Sequence, residues 1–417
     1  MRRFFNSDFL FISWAGGGAL IAYLLVYALR KAFTASTFDG LELFGIDYKV
    51  VISVSQIIGY LLSKFCGIKI VSELKRNQRL PAIIISVTGA ELSLILFGLV
   101  PFPYNFVCLF FNGLSLGCMW GFLFSYLEGR KLTDILASFL GVSIVISSGA
   151  AKSFGLFVLS FDISPFWMPA VIGGIALPLL IAVAYFLNKL PEPTAEDKAH
   201  RIEREPINRK QRWAIFKKYS ILLIPLLTVN VLFTVLRDIK EDFLVDILEH
   251  TNLDLTPFLF VRIDAIVTFI LLVILGSMIL IKNHKNALIT LKFLMIFGSL
   301  LVMFTSLFFD SIITNPIMWI FLQSMGIYTA YLAFQTVFFD RFIAHFRIIG
   351  NVGFFIYLAD FLGYLFSCVF LLVKSFLKFH INWLEYYNSL SLIISLICLL
   401  LMGMAYFIMQ KEKSSYI

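Results

Sequence analysis

The chain has 417 residues, of which 60% are hydrophobic and only 14% are charged, and its net charge is +8. A soluble domain carries about 25% charged residues, so this composition excludes a soluble protein. The cations lie mostly in loops between apolar runs, a distribution that does not indicate nucleic-acid binding. The five cysteines all fall inside apolar runs without a CxxC spacing, which favours small core residues over disulfides or metal ligands.

Twelve apolar runs have the length of about 20 residues that a helix needs to cross a bilayer. They lie near Phe9–Phe33, Lys49–Ile70, Pro81–Val100, Pro103–Leu127, Asp134–Ser160, Phe166–Asn188, Tyr219–Ile239, Pro257–Ile281, Ala287–Phe309, Pro316–Phe339, Ile348–Val373 and Ser389–Met409. One long polar insert divides six runs from six. The sequence therefore predicts an all-α membrane protein with an N-terminal six-helix bundle (residues 1–190), a cytoplasmic linker (191–216) and a C-terminal six-helix bundle (217–417).

Lysine and arginine concentrate in alternate loops, for example Lys75, Arg76 and Arg130, and in the polar insert. The opposite loops hold mostly acidic residues. Because short cytoplasmic loops carry an excess of Lys and Arg, this bias predicts that both termini and the linker are cytoplasmic. We therefore predict a multi-pass protein of a bacterial inner membrane, surrounded by the lipid bilayer.

The first apolar run ends with two adjacent cations, Arg30 and Lys31. Helical spacing places Tyr23, Tyr27, Arg30 and Thr34 on one face. A charge at membrane depth costs free energy unless it faces water or a partner, so this face is predicted to line an interior site. The alternative is that both cations extend to the outer headgroups.

The seventh run repeats this arrangement. Asn230, Thr234, Arg237 and Glu241 have the same spacing as the first stripe and follow a basic stretch in the same way. Two halves with one arginine at the same place in their first helix indicate a duplicated transporter with a site near the membrane midplane.

Other polar side chains lie at helical spacing on the charged runs. The second run carries Gln56, Tyr60 and Lys64 on one face, and we add Tyr331 and Tyr357 from the tenth and eleventh runs as candidate solute contacts. Ordinary helix packing is the alternative for each of these residues. The interior ions are mostly cations: Arg30, Lys31, Lys64, Lys152, Arg237 and Arg262, against Asp264, Asp360 and Glu91, which has no assigned role. An excess of buried cations predicts an anionic solute.

These residues resemble the major facilitator superfamily, and within it the organophosphate:phosphate antiporters. The first run contains Tyr27-Ala28-Leu29-Arg30-Lys31, like the Tyr-x-x-Arg-Lys pattern of that branch, and the second contains Tyr60-Leu61-Leu62-Ser63-Lys64-Phe65-Cys66-Gly67. The resemblance implies two arginines, Arg30 and Arg237, that grip a phosphate at the base of a central cavity, with Lys64 nearby. The helix-5 histidine of the antiporters is absent, and Lys152 lies on that run instead.

The superfamily's architecture also implies contacts that could gate the cavity. It places helix 2 beside helix 11 and helix 5 beside helix 8. Lys64 with Asp360 and Lys152 with Asp264 are therefore candidate ion pairs, and Arg262 is assigned to the same group.

We predict a secondary transporter of a small anionic, phosphorylated solute that works by alternating access as an antiporter and a monomer. No nucleophile–base pair, paired carboxylates, metal cluster or cofactor motif occurs at membrane depth, so neither enzymatic chemistry, a metal nor a cofactor is expected. One rival is a proton-coupled symporter of a carboxylate or peptide with Asp360 or Asp264 as proton carrier. The other rival is a membrane receptor or assembly factor that transports nothing.

Overall fold

The computed structural model describes residues 8–128, 130, 132–193, 197, 209–251, 253–346, 352–376 and 382–412. Within these ranges twelve helices are long and apolar enough to cross a membrane, in agreement with the twelve predicted runs. They are α1 (Asp8–Lys31), α2 (Tyr48–Ser72), α3 (Arg76–Leu99), α4 (Phe106–Leu116 and Met119–Leu127), α5 (Thr133–Leu159), α6 (Met168–Asn188), α7 (Arg209–Glu249), α8 (Leu259–Ser277), α9 (His284–Leu307), α10 (Pro316–Ala333), α11 (Val352–Phe376) and α12 (Trp383–Glu412).

Side-chain caps begin several of these helices. The Asp47 side chain accepts a hydrogen bond from the Lys49 amide at the start of α2. At the start of α9, the Asn283 side chain accepts from the amides of Lys285 and Asn286. Asn315 caps α10, whose first residue is Pro316. Proline suits this first position because its missing N–H has no partner in a helix. These local signals explain why the predicted start of α10 agrees with the structure.

Three helices are interrupted. The two segments of α4 meet at Gly117 and Cys118, α7 has a kink at Phe243 (φ −118°, ψ 16°), and α10 continues as a π-helical turn, Phe334–Phe338. At the α4 break the Cys118 thiol contacts the backbone oxygen of Ser63 on α2 at 3.3 Å. Cys118 is one of four buried cysteines, and Cys66 is exposed.

The connection between α1 and α2 folds into a small hairpin. Strand β1 (Glu42–Leu43) pairs antiparallel with β2 (Ile46–Asp47), with Glu42 opposite Asp47. The two turn residues, Phe44 (φ 56°) and Gly45 (φ 71°), both have left-handed backbone conformations. Positive φ at both central residues is the requirement of a type I′ hairpin turn.

Glycines bring α2 and α4 into backbone contact. A Cβ added at Gly59 would lie 2.0 Å from the Phe110 oxygen, and one at Gly113 would lie 2.1 Å from the Gln56 oxygen. Small residues at helix interfaces in membranes allow this close approach.

The chain forms two compact units. Unit 1 comprises residues 1–201, 241–276 and 368–380, and unit 2 comprises residues 202–240, 277–367 and 381–417. Unit 1 thus contains α1–α6 together with the last part of α7, beyond Lys240, and almost all of α8. The predicted domain boundaries at residues 190 and 216 stay predictions, and most of the linker lies outside the described residues.

Candidate functional site

In unit 1, two cations meet at the ring of Tyr60. Arg30, in the last turn of α1, is 3% exposed, and its guanidinium carbon lies 3.9 Å from the centre of the Tyr60 ring and 5.7 Å from that of Tyr27. Lys64 lies one turn after Tyr60 on α2, is also buried, and places its Nζ 5.3 Å from the same ring centre. An aromatic face attracts cations, so Tyr60 holds together side chains from two helices. The structure therefore brings four of the predicted solute contacts into one cluster.

Amide side chains fix the helical turn that carries Arg30. The Gln56 Nε2 donates to the Arg30 carbonyl at 2.6 Å and to the Asn112 Oδ1 at 2.8 Å. The Asn112 Nδ2 donates to the carbonyls of Leu29 at 3.1 Å and Ala90 at 3.3 Å. Gln56 therefore ties α2 to the backbone of α1, and its predicted role as a solute contact stays a prediction. Asn112 was missed, although a lone amide inside the apolar run of α4 was the available signal.

Lys31 faces a carboxylate instead of the ring of Tyr60. Its Nζ lies 2.5 Å from the Asp242 Oδ1, and the two side chains are 3% and 0% exposed. The hydroxyl of Tyr27 donates to the Glu241 Oε2 at 3.3 Å. These contacts all lie within unit 1, and they show that the charge of Lys31 is balanced by the chain itself. Its predicted role in binding the solute stays a prediction.

A second buried ion pair lies one turn further along α7. The Lys49 Nζ lies 2.5 Å from the Asp246 Oδ2, donates to the Thr34 carbonyl at 3.1 Å, and lies 5.6 Å from the centre of the Phe243 ring. Burial raises the pKa of nearby Asp47, against the hydrogen bond from the Lys49 amide and the charge of Lys49, which lower it. We call Glu241, Asp242 and Asp246 the acidic ladder. The Lys49–Asp246 pair was missed because Lys49, at the edge of the second run, was not counted among the interior charges.

Unit 2 gives Arg237 a different environment. The Arg237 Nη2 lies 2.6 Å from the Asp238 Oδ1 and 3.3 Å from the Tyr364 hydroxyl, and the guanidinium carbon lies 4.3 Å from the centre of the Tyr331 ring. Ser367 donates to the other Asp238 oxygen at 2.7 Å. Arg237 is thus paired with its neighbour in sequence. Its predicted anion contact stays a prediction, and the side chain of Tyr357 lies outside the described residues.

The residues assigned to gating lie in separate places, and each has its own contacts. A Cβ at Gly149, one turn before Lys152 on α5, would lie 2.6 Å from the Asp264 Oδ2, so Asp264 lies against the α5 face that carries Lys152. The Lys152 Nζ also contacts the Ser148 hydroxyl at 2.8 Å. Asp360 accepts a hydrogen bond of 2.8 Å from Gln335. The Lys152–Asp264 and Lys64–Asp360 pairs stay predictions.

Arg262 lies close to the start of α8 and is exposed. It was placed well inside the eighth run, but α8 begins at Leu259, so Arg262 lies in the first turn, and its side chain is exposed. A long side chain near a helix end can reach the interface without a buried partner. The assignment of Arg262 to the gating group therefore stays a prediction.

The buried charges keep the predicted cation excess, although its members differ from the predicted ones. Among the described residues nine Lys and Arg side chains are buried against six Asp and Glu side chains. The sequence-based set omitted buried Lys49, Lys240, Lys292 and Arg341, and also Asp238 and the acidic ladder. The excess of buried cations over buried acids remains consistent with an anionic solute.

A protein-family profile described as "Family of unknown function (DUF5690)" matches residues 32–412. The chain belongs to this family. No curated protein matches the DUF5690 chain.

Three solved structures with a similar fold are described as a symporter or as transporters. A D-xylose-proton symporter matches with a TM-score of 0.59 and 13% identity over 93% of the DUF5690 chain and 96% of its own. A POT family transporter in complex with 5-aminolevulinic acid has a TM-score of 0.62 and 14% identity over 94% and 96%. The human organic anion transporter MFSD10 (TETRAN) has a TM-score of 0.55 and 12% identity over 94% and 97%. These matches confirm the predicted major facilitator fold.

Proposed function

We propose that this DUF5690 protein is a secondary transporter that moves a small anionic, phosphorylated solute across a bacterial inner membrane by alternating access. One observation carries the proposal: Arg30 and Lys64, both buried inside candidate membrane-spanning helices, converge on the ring of Tyr60. Two like charges close together in a low dielectric repel each other, and an anion between them removes that cost. The guanidinium of Arg30 can bind a phosphate through two parallel hydrogen bonds, whereas Lys64 adds a point charge.

Replacing Arg30 with lysine is expected to weaken binding of the anion. The charge is kept but the planar fork is lost, so each missing charged hydrogen bond costs about 1.5–3 kcal/mol, roughly tenfold to 150-fold in Kd. Calorimetric titration of the purified protein with inorganic phosphate and with glycerol 3-phosphate measures this change.

The matched control is Arg76→Lys, because Arg76 is an exposed arginine at the start of α3. Its affinity for either probe should equal that of the wild type. Wild-type affinity in Arg30→Lys would contradict the proposed site. Equal weakening in both variants would show that overall charge, not this site, attracts the anion.

A proton-coupled symporter of a carboxylate or peptide is the second candidate. The half-buried carboxylate of Asp360, hydrogen-bonded to the Gln335 amide, is the observation that favours it. In proteoliposomes, antiport predicts uptake of labelled glycerol 3-phosphate that depends on phosphate inside the vesicle. The second candidate predicts uptake of a labelled carboxylate or dipeptide that responds to a pH gradient, and a receptor predicts binding without flux.

A further inference from the structure

We propose that Glu91 is a proton-binding group whose protonation state acts on the turn of α1 that carries Arg30, and that it thereby couples proton movement to transport. Glu91 lies on α3 of unit 1 and is not part of the Arg30–Lys64 cluster. The coupling step rests on the proposed transport function. The proton-binding step does not, and the first test below measures it without any solute.

The carboxyl of Glu91 lies against the backbone of α6. Glu91 is 6% exposed, and its Oε2 has no hydrogen-bond partner among the described residues. A Cβ added at Gly173 would lie 1.9 Å from this oxygen and 2.9 Å from the Leu29 Cδ2, and one at Gly174 would lie 3.7 Å from the Oε1. Gly173 therefore makes the room that the carboxyl occupies between α6 and α1.

No opposite charge is recorded at this carboxyl within the described part of the chain. The helices packed on α3 are α1, both segments of α4, and α6. Their titratable side chains in and near these contacts are Tyr23, Tyr27, Arg30 and Lys31 on α1, Cys108, Cys118 and Tyr126 on α4, and Tyr185 on α6. Arg30 follows Leu29 directly, but its guanidinium lies on the ring of Tyr60, and Lys31 is bound to Asp242. The Tyr126 hydroxyl, in turn, donates to Asn188.

An ionised carboxylate in this position would be largely shielded from solvent and would have no counter-ion among the described residues. Burial disfavours the charged form of an acid, and an isolated buried carboxylate takes up a proton instead of paying the cost of desolvation. Glu91 thus holds its proton while it lies against Gly173. It can release that proton to water only when the helices around it move, and the carboxylate that remains then needs a hydrated or cationic environment.

Two amide side chains connect the Glu91 backbone to the candidate site. Asn112 donates to the carbonyl of Ala90, the residue before Glu91, and to that of Leu29. The Asn112 Oδ1 accepts from Gln56, which also donates to the Arg30 carbonyl. A displacement of α3 on ionisation of Glu91 is therefore passed to the last turn of α1. This path is how a proton on Glu91 can alter the position of Arg30.

The first test is an infrared titration of the purified full chain in lipid nanodiscs, from about pH 5 to pH 9. The wild type should lose a protonated-carboxyl C=O band as the pH rises, and Glu91→Gln should lack that band throughout. Glu42→Gln is the control, because Glu42 is an exposed acid in β1, and it should keep the band. An unchanged band in Glu91→Gln, or no titration of the wild-type band, overturns the proposal.

Two neighbouring glycines supply a second, matched comparison. Gly173→Ala places a methyl group where the Glu91 Oε2 lies, whereas Gly174→Ala makes only an ordinary contact. The band should shift or disappear in Gly173→Ala and remain at its wild-type position in Gly174→Ala. The same band in both variants would show that the titrating carboxyl does not lie against α6.

The coupling step is tested with labelled glycerol 3-phosphate in proteoliposomes. Accumulation driven by an inward proton gradient should be lost in Glu91→Gln, while exchange at equal pH is retained. Gradient-driven accumulation at the wild-type level in Glu91→Gln overturns the coupling role. If no protein moves the probe, the proposed solute is wrong, and the infrared titration alone decides whether Glu91 binds a proton.

Discussion

Replacing Asp242 with asparagine is expected to destabilise the protein by about 3–5 kcal/mol, because the buried ammonium of Lys31 then has no counter-charge. The Lys31 Nζ lies 2.5 Å from the Asp242 Oδ1, and the two side chains are 3% and 0% exposed. Titration with a denaturing detergent, followed by circular dichroism, measures the free energy of unfolding. Exchanging the two residues, Lys31→Asp with Asp242→Lys, should recover much of the loss.

The control for this pair is the exposed salt bridge between Arg76 and Glu192, which spans 3.0 Å with side chains 42% and 72% exposed. Because water screens such a pair, Glu192→Gln should change the free energy of unfolding by less than about 1 kcal/mol. A small effect of equal size in Asp242→Asn and Glu192→Gln would contradict the view that the acidic ladder stabilises unit 1.

Alanine at Gly59 is expected to destabilise the protein by about 1–3 kcal/mol or more, since the added methyl group meets the backbone of α4. The obstacle is the Phe110 carbonyl oxygen, and no side-chain rotation can remove it. Gly113→Ala should act similarly from the other side, through the Gln56 oxygen. The same detergent titration measures both variants, and their effects should not be additive because they separate the same two helices.

Gly17→Ala is the matched control for the glycine variants. It also lies inside a helix, but a Cβ there would meet nothing within 4 Å. Alanine should be neutral or stabilising by up to about 1 kcal/mol, since it has the higher helix propensity. Equal destabilisation by Gly17→Ala and Gly59→Ala would mean that the backbone contact between α2 and α4 is not what makes Gly59 important.

The sequence was sufficient for the helices because their signals are local. Hydrophobic length located the twelve runs, and a cap such as Asn315 with Pro316 located the start of α10. The convergence of Arg30 and Lys64 on Tyr60 could be predicted from the sequence for a related reason. Helical spacing defines each face, and the family resemblance places the two faces at one site.

The ion pairs could not be predicted from the sequence, because the spacing of residues within one helix carries no information about a partner far away in the chain. Lys49 and Asp246 are separated by 197 residues in the chain. Arg237 and Asp238 show a different limit: adjacent residues on a helix point about 100° apart, which argues against contact. The long side chain of Arg237 nevertheless bends back to its neighbour, helped by Tyr364 and by Ser367 on the far side of the carboxylate.

The distribution of the thiols makes the native chain suitable for single-site labelling. Four of the five cysteines are buried, so a maleimide fluorophore should react first at the exposed thiol of Cys66 on α2. Cys66 lies two residues after Lys64, and successive helical positions turn by about 100°, so the dye would project from the opposite side of the helix. A spectroscopic reporter of α2 can therefore be attached without any substitution and without occupying the face that holds Lys64.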